Sequence, residues 1–414
     1  MKVCLPIIIF LISSLNAISQ APLSANSFLA SSRTQQEMLH QEKIVQFLQR
    51  TSYQMPWIEQ VELRTRTHDF EISQEEYIFR VTPNSPRQRW AQNKYHNSTI
   101  RTGEMEQQFI LEEALLDRYE IIAGLYFCER LIRVKNEFFL VYEDKINTLK
   151  KSALLSNFDI TDLIKTEDDR NDLQMELLNL ENTRSGLQTL VKLITESEDS
   201  LDLTQGNFIG LEEIKNILPE LYGTPLEQHP LLVRQSARIE TLEYEYNVED
   251  AERRNVLDYV ESRYEGQRKD FLRERLSIGI GFKLPLKGSS KLKLNELKLE
   301  QLEAENKQEA LVYDLQMKKG EYLSKMQALL DEHALLLKQM ETSQARFSMD
   351  QYPGLADATA YSLLKIRESL LGKELDIVKK EQEIFETYLE LLHLSGIVAE
   401  QPLRNYLSAG FEPF

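Results

Sequence analysis

The chain has 414 residues, a formal net charge of −17 and charged side chains at 28% of positions, while its 15 Gly and 12 Pro are few for that length. Leu, Glu, Lys and Gln dominate, which points to long helices rather than to a turn-rich β protein. So acidic a chain is a poor partner for nucleic acid or for an anionic membrane surface.

Met1 and Lys2 lead into an apolar run from Val3 to Leu15, and Ala17 and Ser19 supply the small residues of a cleavage site. Residues 1–19 read as a signal peptide, so the mature chain is expected to be exported. Cys4 lies inside the run, a placement that argues against a lipid anchor, and with Cys128 alone remaining no intrachain disulfide is expected. No later apolar run reaches about 18 residues, so any membrane crossing falls to strands.

A helical segment from Ala30 to about Tyr53 stops at Met55-Pro56, and a strand pair over 57–82 follows. Val61, Leu63 and Thr65 face one way and Glu62, Arg64 and Arg66 the other, then Tyr77, Phe79 and Val81 oppose Ile78 and Arg80. From Gln88 to Ser156 helical periodicity holds without proline over about 100 Å. A break at Asn157-Phe158-Asp159 precedes a return helix from Thr161 to Ile194. Residues 20–194 thus form one unit, and a looser acidic stretch, 195–225, separates it from a second.

The same plan then recurs over 226–395, with a helix from His229-Pro230 to Glu252, a strand pair over 256–285, a long helix from Leu292 to Phe347, a break at Gln351-Tyr352-Pro353-Gly354 and a return helix from Ala358 to Leu394. A repeat of about 200 residues is the simplest account. Residues 396–414 form a C-terminal tail. Leucines at helical spacing, seven and three residues apart in Leu292, Leu299 and Leu302, predict helices packed side by side.

The last strand is the most informative. Leu276, Ile278, Ile280, Phe282 and Leu284 alternate with Ser277, Gly279, Gly281 and Lys283. One face is large and apolar, the other small or polar, over about the nine residues a tilted strand needs to cross hydrocarbon. The first set is expected to face lipid and the second a water-filled lumen. Four strands are too few to close, and a free edge in lipid leaves backbone groups unpaired at several kcal/mol each. At least two chains must share a barrel, and three would give about twelve strands.

Other signals are weak. Gly279-Ile280-Gly281 lies inside a strand and lacks the third glycine of a phosphate loop. The six His are scattered and none pairs with Cys or carboxylate at a ligand spacing, so no metal site is expected. Glu167, Asp168, Asp169 and Asp172 read as a solvated helix face or tunnel lining. Trp57, Tyr77, Phe79, Tyr259, Tyr264 and Phe271 lie near strand ends, where both interfacial anchoring and strand–helix packing would use them. No Ser, Cys or Thr sits with a base in a nucleophile motif, so neither catalysis nor a cofactor is expected.

The twice-made order of helix, strand pair, long helix, tip and return helix resembles the TolC-like outer membrane efflux proteins. His229-Pro230-Leu231-Leu232 stands where that family has an Asn-Pro motif, Ser277 to Pro285 looks like its final strand, and Tyr352-Pro353-Gly354-Leu355 and Ile160-Thr161-Asp162-Leu163 look like its two tips. Ser156 departs from the glycine usual at the first tip, and Ala360 and Leu363 stand where some members carry acidic gate residues.

The resemblance implies a mainly α fold with a small β part: long antiparallel helical hairpins forming an α-barrel, plus four strands per chain contributing to a trimeric, twelve-stranded transmembrane β-barrel. It implies the outer membrane channel of a tripartite efflux or type I secretion system, in a Gram-negative bacterium, working as a passive exit duct. Its partners would be two further copies of itself, outer membrane lipid, a periplasmic adaptor (membrane fusion protein) and an inner-membrane pump. Phe158, Asp159, Ile160, Thr161 and Asp162 in one half, and Tyr352, Gly354, Leu355, Ala356 and Asp357 in the other, would be the tip residues that meet the adaptor. The helices taken alone leave open a non-conducting periplasmic coiled-coil scaffold or tether.

Overall fold

Proline-free runs with apolar residues at helical spacing become helices, and alternating runs become strands. The computed structural model describes residues 23–51, 54–67, 75–152, 160–203, 207–265, 271, 275–283, 288–343 and 359–414. Residues 1–19, Leu284 and the tip residues Phe158, Asp159, Tyr352, Gly354, Leu355, Ala356 and Asp357 lie outside the described residues. In chain order the elements are α1 (Ala25–Ala30), a 3-10 turn (Ser31–Thr34), α2 (Gln36–Arg50), β1 (Ile58–Thr67), β2 (Glu75–Pro83), α3 (Pro86–Ser152), α4 (Ile160–Thr195), α5 (Leu211–Gly223), α6 (Pro230–Arg253), β3 (Leu257–Tyr264), β4 (Leu276–Phe282), α7 (Gly288–Glu341) and α8 (Ala360–Ser395).

The 67 residues of α3 reach about 100 Å at helical rise. Shorter helices flank it in two tiers. Near its start, Gln41 of α2 donates to Gly103 O at 2.9 Å, and Arg101 pairs with Glu240 of α6 at 2.9 Å. Toward its end, Lys135 pairs with Glu176 of α4, and Lys145 with Glu368 of α8 at 2.9 Å. Helix α7 repeats the pattern, since Gln235 of α6 donates to Ala304 O at 2.8 Å while Lys380 of α8 pairs with Glu332 at 2.8 Å. The strands stand at the end where α3 and α7 begin.

Midway along the bundle, three segments far apart in sequence form a belt. Leu23 bridges to Leu201, Phe208 bridges to Ser408, and Asn405 donates to Asn26 at 2.7 Å. Tyr119 of α3, fully buried, donates to Arg404 O at 2.7 Å and accepts from the Tyr406 amide at 3.2 Å. The C-terminal tail is therefore core, with Val398, Leu403 and Leu407 buried. Residues 195–223, expected to be loose, contain α5, whose Ile214, Ile217 and Leu221 point inward and whose start is capped by the Glu213 carboxylate on the Gly210 amide at 2.9 Å.

The single helix expected from Ala30 to Tyr53 is broken at Ser31–Thr34. There the Ser31 hydroxyl turns back to Phe28 O at 2.6 Å and also receives the Arg118 guanidinium at 3.1 Å, so local hydroxyl bonding replaces a helical turn. His229 shows why α6 starts where it does: its Nδ1 accepts the Leu231 amide at 3.2 Å, as a capping asparagine would, and Nε2 donates to His393 O at 3.0 Å. Gly396, at φ 66°, caps α8 against this corner, where a Cβ would stand 2.7 Å from Pro230 Cδ.

One buried acid in the bundle has no hydrogen bond among the described residues, the nearest cationic candidate being His393 Nδ1 at 4.0 Å. Glu112 of α3 is fully buried, and burial, then the neighbouring Glu113 charge, push its carboxyl up to about 8. A carboxyl raised in the folded state binds its proton more tightly there than in the unfolded chain, so its contribution falls as pH climbs from the ordinary carboxylate value toward 8. Glu112→Gln is expected to raise the melting temperature by a few degrees at pH 8.5 and to change it little at pH 5.5, as read by calorimetry at the two pH values.

Candidate functional site: a two-faced sheet and the far helix ends

The strands form one antiparallel sheet in the order β1-β2-β3-β4, which makes β1 and β4 edges with a single neighbour each within the chain. Register aligns side chains of like character across all four strands. Leu63 opposes Phe79, Phe79 opposes Ser262 and Ser262 opposes Ile278; Val61, Val81, Val260 and Ile280 form the next row, and Thr65, Tyr77, Tyr264 and Leu276 a third. Apolar side chains of this face are largely uncovered by the described residues: Leu63 is 68% exposed, Ile278 75%, Ile280 55% and Phe282 68%. A face of this size exposed to water would be costly.

The opposite face is charged and internally paired. Arg80 lies between Glu261 at 2.9 Å and Glu62 at 3.7 Å, Arg64 pairs with Glu62 at 2.8 Å, and Arg263 pairs with Glu76 and Glu265. On this face β4 contributes Ser277, Gly279 and Gly281. A Cβ at Gly281 would collide with the Tyr259 ring, and one at Gly279 would come within 3.0 Å of Glu261 Cγ. At Gly281 the Tyr259 ring, with Arg80 stacked 3.9 Å over it, lies across β4 and leaves no room for a side chain. Lys283 follows the strand, exposed, its amide bonded to Val256 O at 2.8 Å.

Among the expected tip residues, Ile160, Thr161 and Asp162 are described and open α4, with Ile160 62% exposed. The sequence reading missed a contact here. Tyr361, in the first turn of α8, donates to Asp162 Oδ2 at 3.4 Å, so the first turns of the two return helices are joined. Burial and the Asp162 charge raise the Tyr361 phenol. Below that contact, Lys145, buried, pairs with Glu368, and Glu381 of α8 is held between Arg130 and, at 3.4 Å, His333. No spacing rule links Tyr361 to Asp162, and only a fold that brings both repeats together reveals the pair.

Glu167 of the acidic cluster pairs with Lys150 at 2.9 Å, in keeping with a solvated helix face. Trp57 is 62% exposed, with the Arg89 guanidinium 3.7 Å above its ring. Cys128 is buried and free, its thiol directed at Leu180 O at 3.1 Å. Among the described residues no cluster of His, Cys, Asp and Glu could hold a metal ion, and no helix is long and apolar enough to cross a membrane.

No family model matches the sequence, and no curated protein aligns with it. Solved structures do. The outer membrane protein VceC from Vibrio cholerae superposes with a TM-score of 0.64 over 90% of this chain and 96% of its own, at 14% identity. The open-state MtrE outer membrane channel of Neisseria gonorrhoeae gives 0.65 over 91% and 89%, at 11% identity. The CmeC outer membrane channel of Campylobacter jejuni gives 0.59 over 90% and 84%, also at 11% identity. Long helices in two tiers, a four-stranded sheet at one end and agreement over nine-tenths of the length give this chain the fold of the TolC-like outer membrane channels.

Proposed function

We propose that the chain is one protomer of a trimeric outer membrane channel that serves as a passive exit duct and supplies neither energy nor catalysis. The observation that carries this is the exposed apolar face of a sheet whose other face is charged and whose two edges are open. Because β1 and β4 run in opposite directions, β4 of one copy can pair with β1 of the next, and three copies then close about twelve strands with every edge satisfied. Leu276, Ile278, Ile280, Phe282 and Leu284 would face lipid, and Ser277, Gly279, Gly281 and Lys283 the lumen. A non-conducting scaffold would leave the apolar face in water.

In this reading residues 1–19 are the export signal, 20–194 and 226–395 are the two structural repeats, 195–225 and 396–414 belong to the equatorial belt, and the far helix ends dock to a periplasmic adaptor that links the duct to an inner-membrane pump. The tip residues Phe158, Asp159, Ile160, Thr161 and Asp162, with Tyr352, Gly354, Leu355, Ala356 and Asp357, would make that contact. The Asp162–Tyr361 bond would hold the return helices together until docking. Selectivity would come from tip width and from charge along the lumen, where acidity belongs to the helices rather than to the sheet's mixed Arg and Glu face.

Two measurements test the proposal. A lysine on the lipid face costs about 2–4 kcal/mol near mid-membrane, so Ile280→Lys is expected to abolish heat-modifiable trimers in outer membrane fractions, while Ser277→Lys is tolerated; equal tolerance would count against the barrel. Wild-type trimers should conduct in planar bilayers, and Tyr361→Phe should raise the open probability by removing the bond to Asp162. Absence of any conductance from well-formed trimers would sink the duct.

A further inference from the structure

We infer that the collar where helices meet strands is a binding surface for the anionic headgroups of phospholipids in the leaflet facing the helices. The inference rests on the membrane reading of the sheet. From Tyr77 to Gly103 the sequence contains no Asp or Glu and, past the strand, carries Arg87, Arg89, Lys94 and Arg101; from Arg275 to Asn295 it again contains none and, past the strand, carries Lys283, Lys287, Lys291 and Lys293. In a chain with 66 acidic residues among 414, both gaps fall at the same place in the two repeats. Each runs from the second strand of the pair into the opening turns of the long helix.

The structure adds a charge imbalance at that level. The Asp250 carboxylate, 5% exposed at the end of α6, receives Arg87 at 2.8 Å, Arg253 at 3.1 Å and Arg254 at 2.9 Å. Three cations share one anion, and among the described residues no other carboxylate is within ion-pair distance of them, with Glu249, Glu252 and Asp258 adjacent in sequence. Asp250 fixes these guanidiniums while Arg87 and Arg254 stay more than half exposed. Lys94, Lys283, Lys291 and Lys293 are exposed nearby in sequence and level, and Trp57 and Trp90 stand exposed beside them.

Strands β1 to β4 end at this level, so here hydrocarbon gives way to headgroups. Guanidinium forks bind phosphate oxygens in pairs, lysine stems snorkel to the same depth, and indole rings prefer it. Basic residues next to a membrane attract anionic lipid. The net charge of −17 argues against such a surface only as an average, because the collar is basic where it matters.

The test is lipid retention by the intact trimer. Wild-type protein is reconstituted in nanodiscs with equal phosphatidylglycerol and phosphatidylcholine, and the lipid kept after detergent exchange is measured by mass spectrometry. Phosphatidylglycerol is expected to be enriched about fivefold, and the surface variant Lys94→Gln/Lys291→Gln/Lys293→Gln, together with Arg87→Gln separately, should lower that enrichment toward equal retention. Equal retention by wild-type trimers, or unchanged enrichment in both variants, overturns the inference. Loss of phosphatidylglycerol on adding millimolar inorganic phosphate would mark a free-phosphate site and overturn it too. Failure to form trimers in any lipid would instead strike at the channel itself.

Discussion

In the proposed barrel a backbone amide or carbonyl surrounded by hydrocarbon has no water to fall back on, and the rest of the proposed assembly follows from that constraint. Four strands give each chain two unpaired edges, Ile58–Thr67 on one side and Leu276–Phe282 on the other. In that proposal the apolar rows through Phe79 and Ile280 face hydrocarbon and another copy pairs those edges. Apolar residues left exposed on the helices, including Phe47, Leu193, Leu299 and Leu335, extend the same incompleteness along the bundle.

Charge is partitioned with equal economy. The sheet's polar face neutralises itself through Arg80, Glu62 and Glu261, which keeps charged side chains flat against the glycines of β4. Acid predominates on the helices, while Arg87, Arg253 and Arg254 gather on Asp250 at the junction. Net charge, an average over these zones, describes none of them. The acid-free stretches beside Arg87 and Lys291 are present in plain sequence, where composition averages them away.

What could be read beforehand depended on range. The strand alternation from Leu276 to Phe282 and the long periodic helices are local patterns with period two or near 3.6, and they matched the observed elements within a few residues. The repeated order then implied the pairing of hairpins. By contrast, the belt joining Leu23, Leu201, Phe208 and Ser408, the break at Ser31–Thr34 bound to Arg118, and the Tyr361–Asp162 contact all depend on residues brought together from far apart. Isoleucines and leucines in α5 looked like part of a loose acidic stretch because its 13 residues are too short for periodicity to outweigh flanking Glu and Asp.

The belt also bears on the order of construction. Its inner rim, from Leu23 to Leu29, is the first described part to leave the ribosome, yet its cover, Leu403 to Ser408, is among the last. Contacts separated by nearly the whole chain carry a heavy loop-closure cost and form late. Until synthesis nears completion Tyr119 therefore lacks the Arg404 and Tyr406 partners of its hydroxyl, and the waist of the molecule stays open.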